Sequence, residues 1–339
     1  MRRLINGLRN RLGGVLNMIN PPGPEVFDGV GDYMRVILVG LRWGYGSRLN
    51  RDGFEYRRFV PALARLCRRV DFVPCEGGRR IVSAIRDLCA DTGPAVVLSI
   101  FQSRRQIPDD YFSLSGAGCH LVNWYTDDDM FFESFSRHVA QHFDLNVTTY
   151  EPLVERYQSL GAAAVASQWA GLPGLGFRDR RRYGACFVGR MYGCRRDLMK
   201  ALQRRFGSRV FLHDTRLSVM DEQAMIDVYQ DSWLAIDEPL SYDGRTLQIK
   251  ARLFENAAMG GLVVTRPNPR IERYYEPGKE ILYWNDVSDL IEIIDDCLRS
   301  PEKYRHIARN AYERTLREHL YEHRFRDILR HCAAGSRTA

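Results

Sequence analysis

The 339-residue chain is 45% hydrophobic and 27% charged, with a formal net charge of +7. That composition belongs to a globular protein, and its length favours two domains of ordinary size. No run of about 18 apolar residues occurs, which excludes a transmembrane helix, and the eight scattered cysteines contain no Cys-x-x-Cys pair or Cys/His ligand spacing, which argues against a zinc site and for reduced thiols.

The basic excess points to anionic partners: a phosphorylated substrate, a membrane surface or nucleic acid. In MRRLINGLRNRLGGVLNMIN, Leu4, Ile5, Leu8, Leu12, Val15, Leu16 and Ile19 recur at helical spacing, and Arg2, Arg3, Arg9 and Arg11 are the only charged side chains. Docking on an anionic membrane surface, packing on the protein's own body, and disorder all fit this segment, because Gly7, Gly13 and Gly14 each weaken an isolated helix by about 1 kcal/mol. The Pro- and Gly-rich stretch PPGPEVFDGVGD then reads as a linker, so residues 1–33 precede the first domain. With no secretory signal at the N-terminus, the expected location is cytoplasmic, with peripheral attachment to the inner face of the cell membrane as an extension of that expectation.

From Met34 the chain alternates. MRVILVG is an apolar run of β-branched character, as in a strand buried on both faces of a parallel sheet. A glycine loop and the helical segment GFEYRRFVPALARLCRR follow, then RVDFVP, AVVLSIF, CHLVNWYT and DLNVTT as further strands. This predicts a doubly wound α/β domain over residues 34–170. The stretch GLPGLGFRDRRRYG, residues 171–184, reads as an interdomain linker. A second α/β series over 185–330 contains ACFVGR, RVFLHD, SWLAIDE and LVVTRP. It ends in two helices, the second opened by Ser300 and Pro301, with residues 331–339 as a tail. The fold class is therefore α/β, with two Rossmann-like domains facing across a cleft and ligands beyond the carboxyl ends of the strands.

The loops after strands carry the candidate chemistry. In VGRMYGCRR, Gly189 allows close backbone approach, and Arg190 with Arg195 or Arg196 offers a bidentate clamp for a diphosphate; the bland alternative is a solvated basic turn. In QIKARLFENAAMGGLVVTRP a helix starting near Gln248 would turn its free N–H groups and positive dipole end toward a diphosphate, with Lys250 adding a mobile charge. Arg252 and Glu255 lie three apart on one face. They form either an ordinary ion pair or a site in which Glu255 accepts both hydroxyls of a ribose. Gly40, Gly44 and Gly46 in GLRWGYGS permit close approach of a ligand after the first strand, where Trp43 and Tyr45 are available to stack on a sugar. The spacing is not the dinucleotide fingerprint, which counts against an NAD enzyme.

These blocks resemble those of the CgeB-type, spore-maturation-like glycosyltransferases of the GT-B class over Met34 to about Leu329. The resemblance is carried by WGYGSRLNRDGFEYRRF, NWYTDDD, FVGRMYGCRR, KARLFENAAMGGLVVT, YYEPGKEILYW and HLYEHRF. It implies two Rossmann-like domains, a UDP- or GDP-linked sugar held mainly by the second, a glycan, lipid-linked or protein acceptor facing the first, and no required metal. Retaining relatives carry two glutamates eight residues apart. Glu255 matches the second, whereas the first falls on Leu247, leaving Asp243 as the replacement candidate.

Asp127-Asp128-Asp129 after LVNWY is open to three readings: a helix N-cap, the cation site of a GT-A enzyme, or a base toward the acceptor hydroxyl provided by Asp127 or Asp128. His319 and His323 stand four apart in what reads as one helix, a metal-compatible spacing without a third ligand. The sequence thus predicts a hexosyl- or pentosyltransferase of surface glycan or lipopolysaccharide assembly. A nucleotide-sugar epimerase, a catalytically inactive coat or interaction protein of the same fold, and a nucleic-acid-modifying glycosyltransferase are the alternatives.

Overall fold

The computed structural model describes residues 35–47, 52–78, 80–93, 95–218, 220–241 and 244–335. The basic segment, the linker to residue 33 and Asp243 lie outside the described residues. The chain divides into two compact units, one of residues up to Gln168 together with those from Tyr321, the other of Trp169–Leu320.

In the first unit, β1 (Arg35–Gly40), β2 (Arg69–Pro74), β3 (Val96–Ser99), β4 (His120–Tyr125), β5 (Leu145–Thr148) and β6 (Ala164–Ala166) form a six-stranded sheet in the order β2-β1-β3-β4-β5-β6. Every pairing is parallel. Parallel neighbours need crossovers, supplied here by helices such as α1 (Phe54–Ala64) and α2 (Arg80–Thr92). β1 and β3 are buried along their whole length, which is why their sequences are unbroken apolar runs rather than alternating ones. Ile37, Val39, Val97 and Leu121 share one core with Ile81, Ile85 and Tyr111. Phe59 of α1 stacks on Trp124 of β4 with ring centroids 5.1 Å apart, and Phe325 meets both rings edge-on.

The second unit repeats the plan. β7 (Tyr183–Gly189), β8 (Val210–Asp214), β9 (Ser232–Ile236), β10 (Leu262–Thr265) and β11 (Leu282–Tyr283) pair in parallel in the order β11-β10-β9-β7-β8. Phe187, Leu234, Ile236 and Val264 pack with Leu198 and Leu202 of α3 (Cys194–Phe206) and with Leu290 and Ile294 of a later helix. The opposite face carries Cys186, Val188 and Ala235 against Ile226 and Tyr229 of α4 (Glu222–Gln230).

Both sheets reverse their strand order beside the first strand, between β1 and β3 and between β7 and β9. Outside the carboxyl ends at such a switch point, adjacent crossover helices leave in opposite directions and open a crevice. The ends of β1/β3 and β7/β9 are therefore the positions to inspect in each unit.

Three expectations about organisation change. Residues 171–184 are part of the second unit rather than a linker: Gly171 N–H bonds His319 O at 2.8 Å, Arg178 pairs with Asp227 and Asp231, and Arg181 donates to the Gly260 and Ser232 carbonyls. The C-terminal series holds three helices after β11, namely α6 (Val287–Arg299), α7 (Glu302–Glu318) and α8 (Tyr321–Gly335), following α5 (Ala251–Ala258) before β10. The last of them belongs to the first unit because Tyr321 and Phe325 bury their rings against Phe59, so the second domain ends near residue 320 rather than 330.

Candidate functional site

In the second unit, the site builds around the end of β7. Gly189 closes that strand, and a Cβ placed on it would lie 2.8 Å from Arg252 Nη2 and 3.2 Å from Phe187 Cζ. The missing side chain is what lets the Arg252 guanidinium lie across the strand end, 4.9 Å above the Phe187 ring, with its Nε 3.8 Å from Asp237 Oδ1. Asp237 follows β9 and is 1% exposed; its other oxygen accepts from Thr265 Oγ1 at 3.0 Å. Glu238, fully buried, pairs with Arg266 Nε at 2.8 Å. Buried carboxylates persist only when paired, and these two are.

Helix α5 begins at Ala251 rather than near Gln248. Lys250 is still extended at φ −91°, ψ 152°, because the preceding chain is held elsewhere: Gln248 N–H bonds Pro239 O at 3.1 Å, and Leu247 forms an antiparallel bridge with Leu240. The first turn is thus the one carrying Arg252, with half-buried Lys250 at the cap position and the Leu253 N–H already bonded to Lys250 O at 3.0 Å. Glu255 follows on the same helix, half-buried. Its charge acts, with those of Arg252 and Asp237, on the buried Tyr229, whose phenol is pushed up chiefly by desolvation. α5 ends in a tight turn in which Gly260 takes φ +77° and Gly261 N–H returns to Asn256 O at 2.9 Å.

The two arginines of the β7 loop separate. Arg190 is exposed directly after the strand. Arg195 is 2% exposed and turns inward: Nη1 donates to Arg190 O at 3.2 Å, Nη2 to Glu238 O at 2.5 Å and to Leu240 O at 3.1 Å, and the guanidinium lies 4.2 Å over the Tyr192 ring. The expectation of a diphosphate ligand is corrected for Arg195: it ties the loops after β7 and β9 together. Asp214, at the end of β8, adds a second tie, accepting from Met191 N–H at 3.2 Å; hydrogen bonds from Arg216 and from these backbone groups hold its carboxyl below the usual carboxylate range.

In the first unit the glycine loop is an ordered turn. Gly44–Gly46 form one 3-10 turn with Gly46 at φ +71°, and the Glu76 carboxylate accepts from Arg42 N–H at 3.0 Å and Trp43 N–H at 3.1 Å. Trp43 and Tyr56 flank the Arg42 guanidinium at 4.5 and 3.7 Å.

The aspartate run divides by burial. Asp127 is exposed at the start of a short helix, and its carbonyl accepts from Met130 N–H at 3.0 Å. Asp128 is fully buried. It accepts from Ser136 Oγ at 2.6 Å and Tyr157 Oη at 2.8 Å, and desolvation raises its pKa. The expectation of a base role for Asp128 is thus corrected, because its carboxyl is committed to the core. His319 and His323 do not share a helix, since α7 stops at Glu318 and α8 starts at Tyr321; His319 Nε2 lies 2.9 Å from Tyr274 O within a cage of Phe254, Tyr274 and Tyr275. Among the described residues no three His, Cys, Asp or Glu side chains are placed to share a metal ion.

Sequence reasoning passed over Asp237, Glu238 and Arg266, although all three sit in quoted strand segments. Two adjacent carboxylates closing an apolar run are the signal, because a chain buries such a pair only where cations meet it.

Residues 195–330 match a family model described as glycosyl transferase-like. No curated protein matches the chain by sequence. Among solved structures, sucrose-phosphate synthase from Thermosynechococcus elongatus is similar at a TM-score of 0.58 and 13% identity, covering 90% of this chain and 98% of that one. The Anabaena protein HepE, solved with UDP and glucose, is similar at 0.56 and 12%, covering 91% and 100%. A glycosyltransferase from Rickettsia africae is similar at 0.54 and 10%, again covering 91% and 100%. The chain has the two-sheet α/β fold of these GT-B structures.

Proposed function

We propose that the chain is a glycosyltransferase that moves a sugar from a nucleoside diphosphate to an acceptor hydroxyl, with the donor held by the second unit. The observation that carries this reading is the arrangement at the β7/β9 switch point, where Gly189 leaves room for Arg252, and Lys250 and Glu255 sit on the first turns of α5. The glycosyl transferase-like match, residues 195–330, starts after β7 and includes α5, and a structural neighbour was solved with UDP and glucose.

In this reading Arg190, Lys250 and the start of α5 offset the charge that grows on the leaving diphosphate, and Glu255 accepts the ribose hydroxyls. Arg195, Asp214 and the Glu238–Arg266 pair hold the loops that present these groups. We read the transfer as independent of a divalent metal, because these cations and N–H groups supply positive charge at the phosphates; activity surviving EDTA would support this and its loss would refute it. We further read the sequence blocks as a resemblance to the CgeB type, and residues 1–20 as favouring an acceptor of the surface glycan or lipopolysaccharide kind at an anionic membrane surface. Liposome flotation that is equal with and without residues 1–20 would remove the membrane part of this reading.

The direct test is isothermal titration and thermal shift with UDP, GDP and ADP and their glucose conjugates, repeated on Glu255→Ala. A ligand at about 100 times its dissociation constant adds roughly 2.7 kcal/mol of apparent stability. Stabilisation by one nucleotide class that is lost in the variant supports the donor site; no stabilisation by any of them refutes it. Leu247, standing where retaining relatives place a carboxylate, favours a second reading in which nucleotide binds without turnover, and release of diphosphate from the bound conjugate separates the two.

A further inference from the structure

We propose that Glu55 is the proton acceptor for the attacking hydroxyl, held at the switch point of the first sheet. This inference rests on the glycosyltransferase reading above and adds to it the group that completes the reaction. Glu55 lies in the first turn of α1, immediately beyond the carboxyl end of β1. A Cβ on Gly40, the last residue of β1, would stand 3.0 Å from Glu55 Cβ and 3.8 Å from Ile100 just after β3. The carboxyl-bearing side chain therefore starts from the crevice between the ends of β1 and β3, where open α/β sheets take their ligands. The absence of a side chain on Gly40 is what lets α1 approach so closely.

The surroundings suit proton transfer. Glu76 faces the same region from the turn after β2, and two backbone N–H groups, those of Arg42 and Trp43, fix its carboxylate in place. Cys75 precedes it, a buried thiol whose pKa is raised to about 12, and it stays neutral at physiological pH. Among the described residues these are the titratable groups that act on Glu55. Burial is the larger cause and the Glu76 charge the smaller of the two that raise the Glu55 carboxyl, to about 7. Two neighbouring carboxylates, one anchored by N–H groups and one poised near neutrality, divide the roles of fixed anion and proton carrier. The buried Asp128 cannot take that second role, and Asp127 is left as the competing candidate on the same unit.

The step balances without another reactant. The acceptor oxygen bonds to the anomeric carbon, the bond from that carbon to the diphosphate oxygen breaks with its electron pair leaving on the diphosphate, and the hydroxyl proton passes to the Glu55 carboxylate and then to water. Glu55 must be ionised to act, so the rate should rise with pH through its pKa.

The test uses the full chain with a panel of UDP-, GDP- and ADP-glucose and water as acceptor, following nucleoside diphosphate release from pH 5 to 9. Wild type should show a kcat/KM limb near pH 7. Glu55→Gln should lose that limb and fall by about 100-fold or more, while titrating with the free diphosphate as wild type does. Glu55→Asp, which keeps a carboxylate, should recover part of the rate. An unchanged rate and limb in Glu55→Gln, or loss of the limb in Asp127→Asn instead, overturns the assignment to Glu55. Weakened diphosphate binding in Glu55→Gln overturns it too, by moving the effect to the donor. If wild type binds a diphosphate but releases none, the proton-transfer proposal falls while the donor site stands; if it binds none, the reading beneath both falls.

Discussion

Replacing Glu55 by glutamine should stabilise the protein in a pH-dependent way, independently of any substrate. The carboxyl moves from its ordinary 4.5 to about 7 on folding, with burial as the largest cause and the Glu76 charge adding to it. Between those two values the native state binds more protons than the unfolded chain, so this group makes stability fall as pH rises. At pH 4 the group is mostly protonated in both states and contributes little; above pH 8 the full penalty is present, on the order of 3 to 4 kcal/mol at about 1.4 kcal/mol per pH unit of separation. Glutamine mimics the protonated form and does not titrate. The stability difference between variant and wild type should therefore be near its minimum at pH 4 to 5 and grow in favour of the variant through pH 7. Urea unfolding at several pH values measures this, with near-ultraviolet dichroism of the fully buried Trp124 reporting on the first unit. A difference that stays flat from pH 5 to 8.5 would refute the assigned environment of Glu55, whatever the enzyme assays show.

Three other substitutions test the packing around the sites. Gly171→Ala would push a methyl to 2.7 Å from Ala258 Cβ, 2.9 Å from Thr315 Cγ2 and 3.0 Å from Phe254 O; none of these can swing away, so we expect a loss of about 1–3 kcal/mol in thermal or denaturant unfolding of the second unit. Gly189→Ala meets the end of the Arg252 side chain at 2.8 Å and the Phe187 ring at 3.2 Å, so stability should fall by about 1 kcal/mol while diphosphate affinity in titration calorimetry falls at least about tenfold as the guanidinium is displaced. Asp128→Ala leaves the Ser136 and Tyr157 hydroxyls without their acceptor, which should cost about 1–3 kcal/mol in urea unfolding and leave diphosphate affinity as in wild type.

Folding places a charged side chain at the same topological position in both sheets. In each sheet the first strand ends in a glycine, and the cleared space is taken by a charged side chain from a helix: Glu55 beside Gly40, Arg252 beside Gly189. On the proposals above, the first would serve as proton acceptor and the second as a cation beside the donor loops.

Local signals in the sequence were enough for the architecture. Runs such as RVILVG and LVVT are apolar at every position because both faces of their sheets are covered, and that pattern is legible without knowing what covers them. The short strands β6 and β11 escaped notice because three and two residues at a sheet edge carry too little periodicity. The glycines after β1 and β7 and the helix bearing Arg252 and Glu255 were likewise visible, since strand, loop and helix start are each set by residues close in the chain.

Burial and partnership were decided only by tertiary contacts. Asp127 and Asp128 are indistinguishable as letters, yet Tyr157, 29 positions away, draws one into the core. Arg195 could not be told from Arg190 until carbonyls 43 and 45 positions away claimed its guanidinium. Glu55 resembled any first-turn glutamate on an amphipathic helix; the fold half-buried it and brought the Glu76 charge near it. The terminal helix shows the same limit, because its heptad-like apolar positions fit either unit, and only the aromatic contacts of Tyr321 and Phe325 with Phe59 assign it to the first. Secondary structure follows from near neighbours, whereas the charge state and availability of a side chain depend on groups that are distant in sequence and adjacent only once the chain has folded.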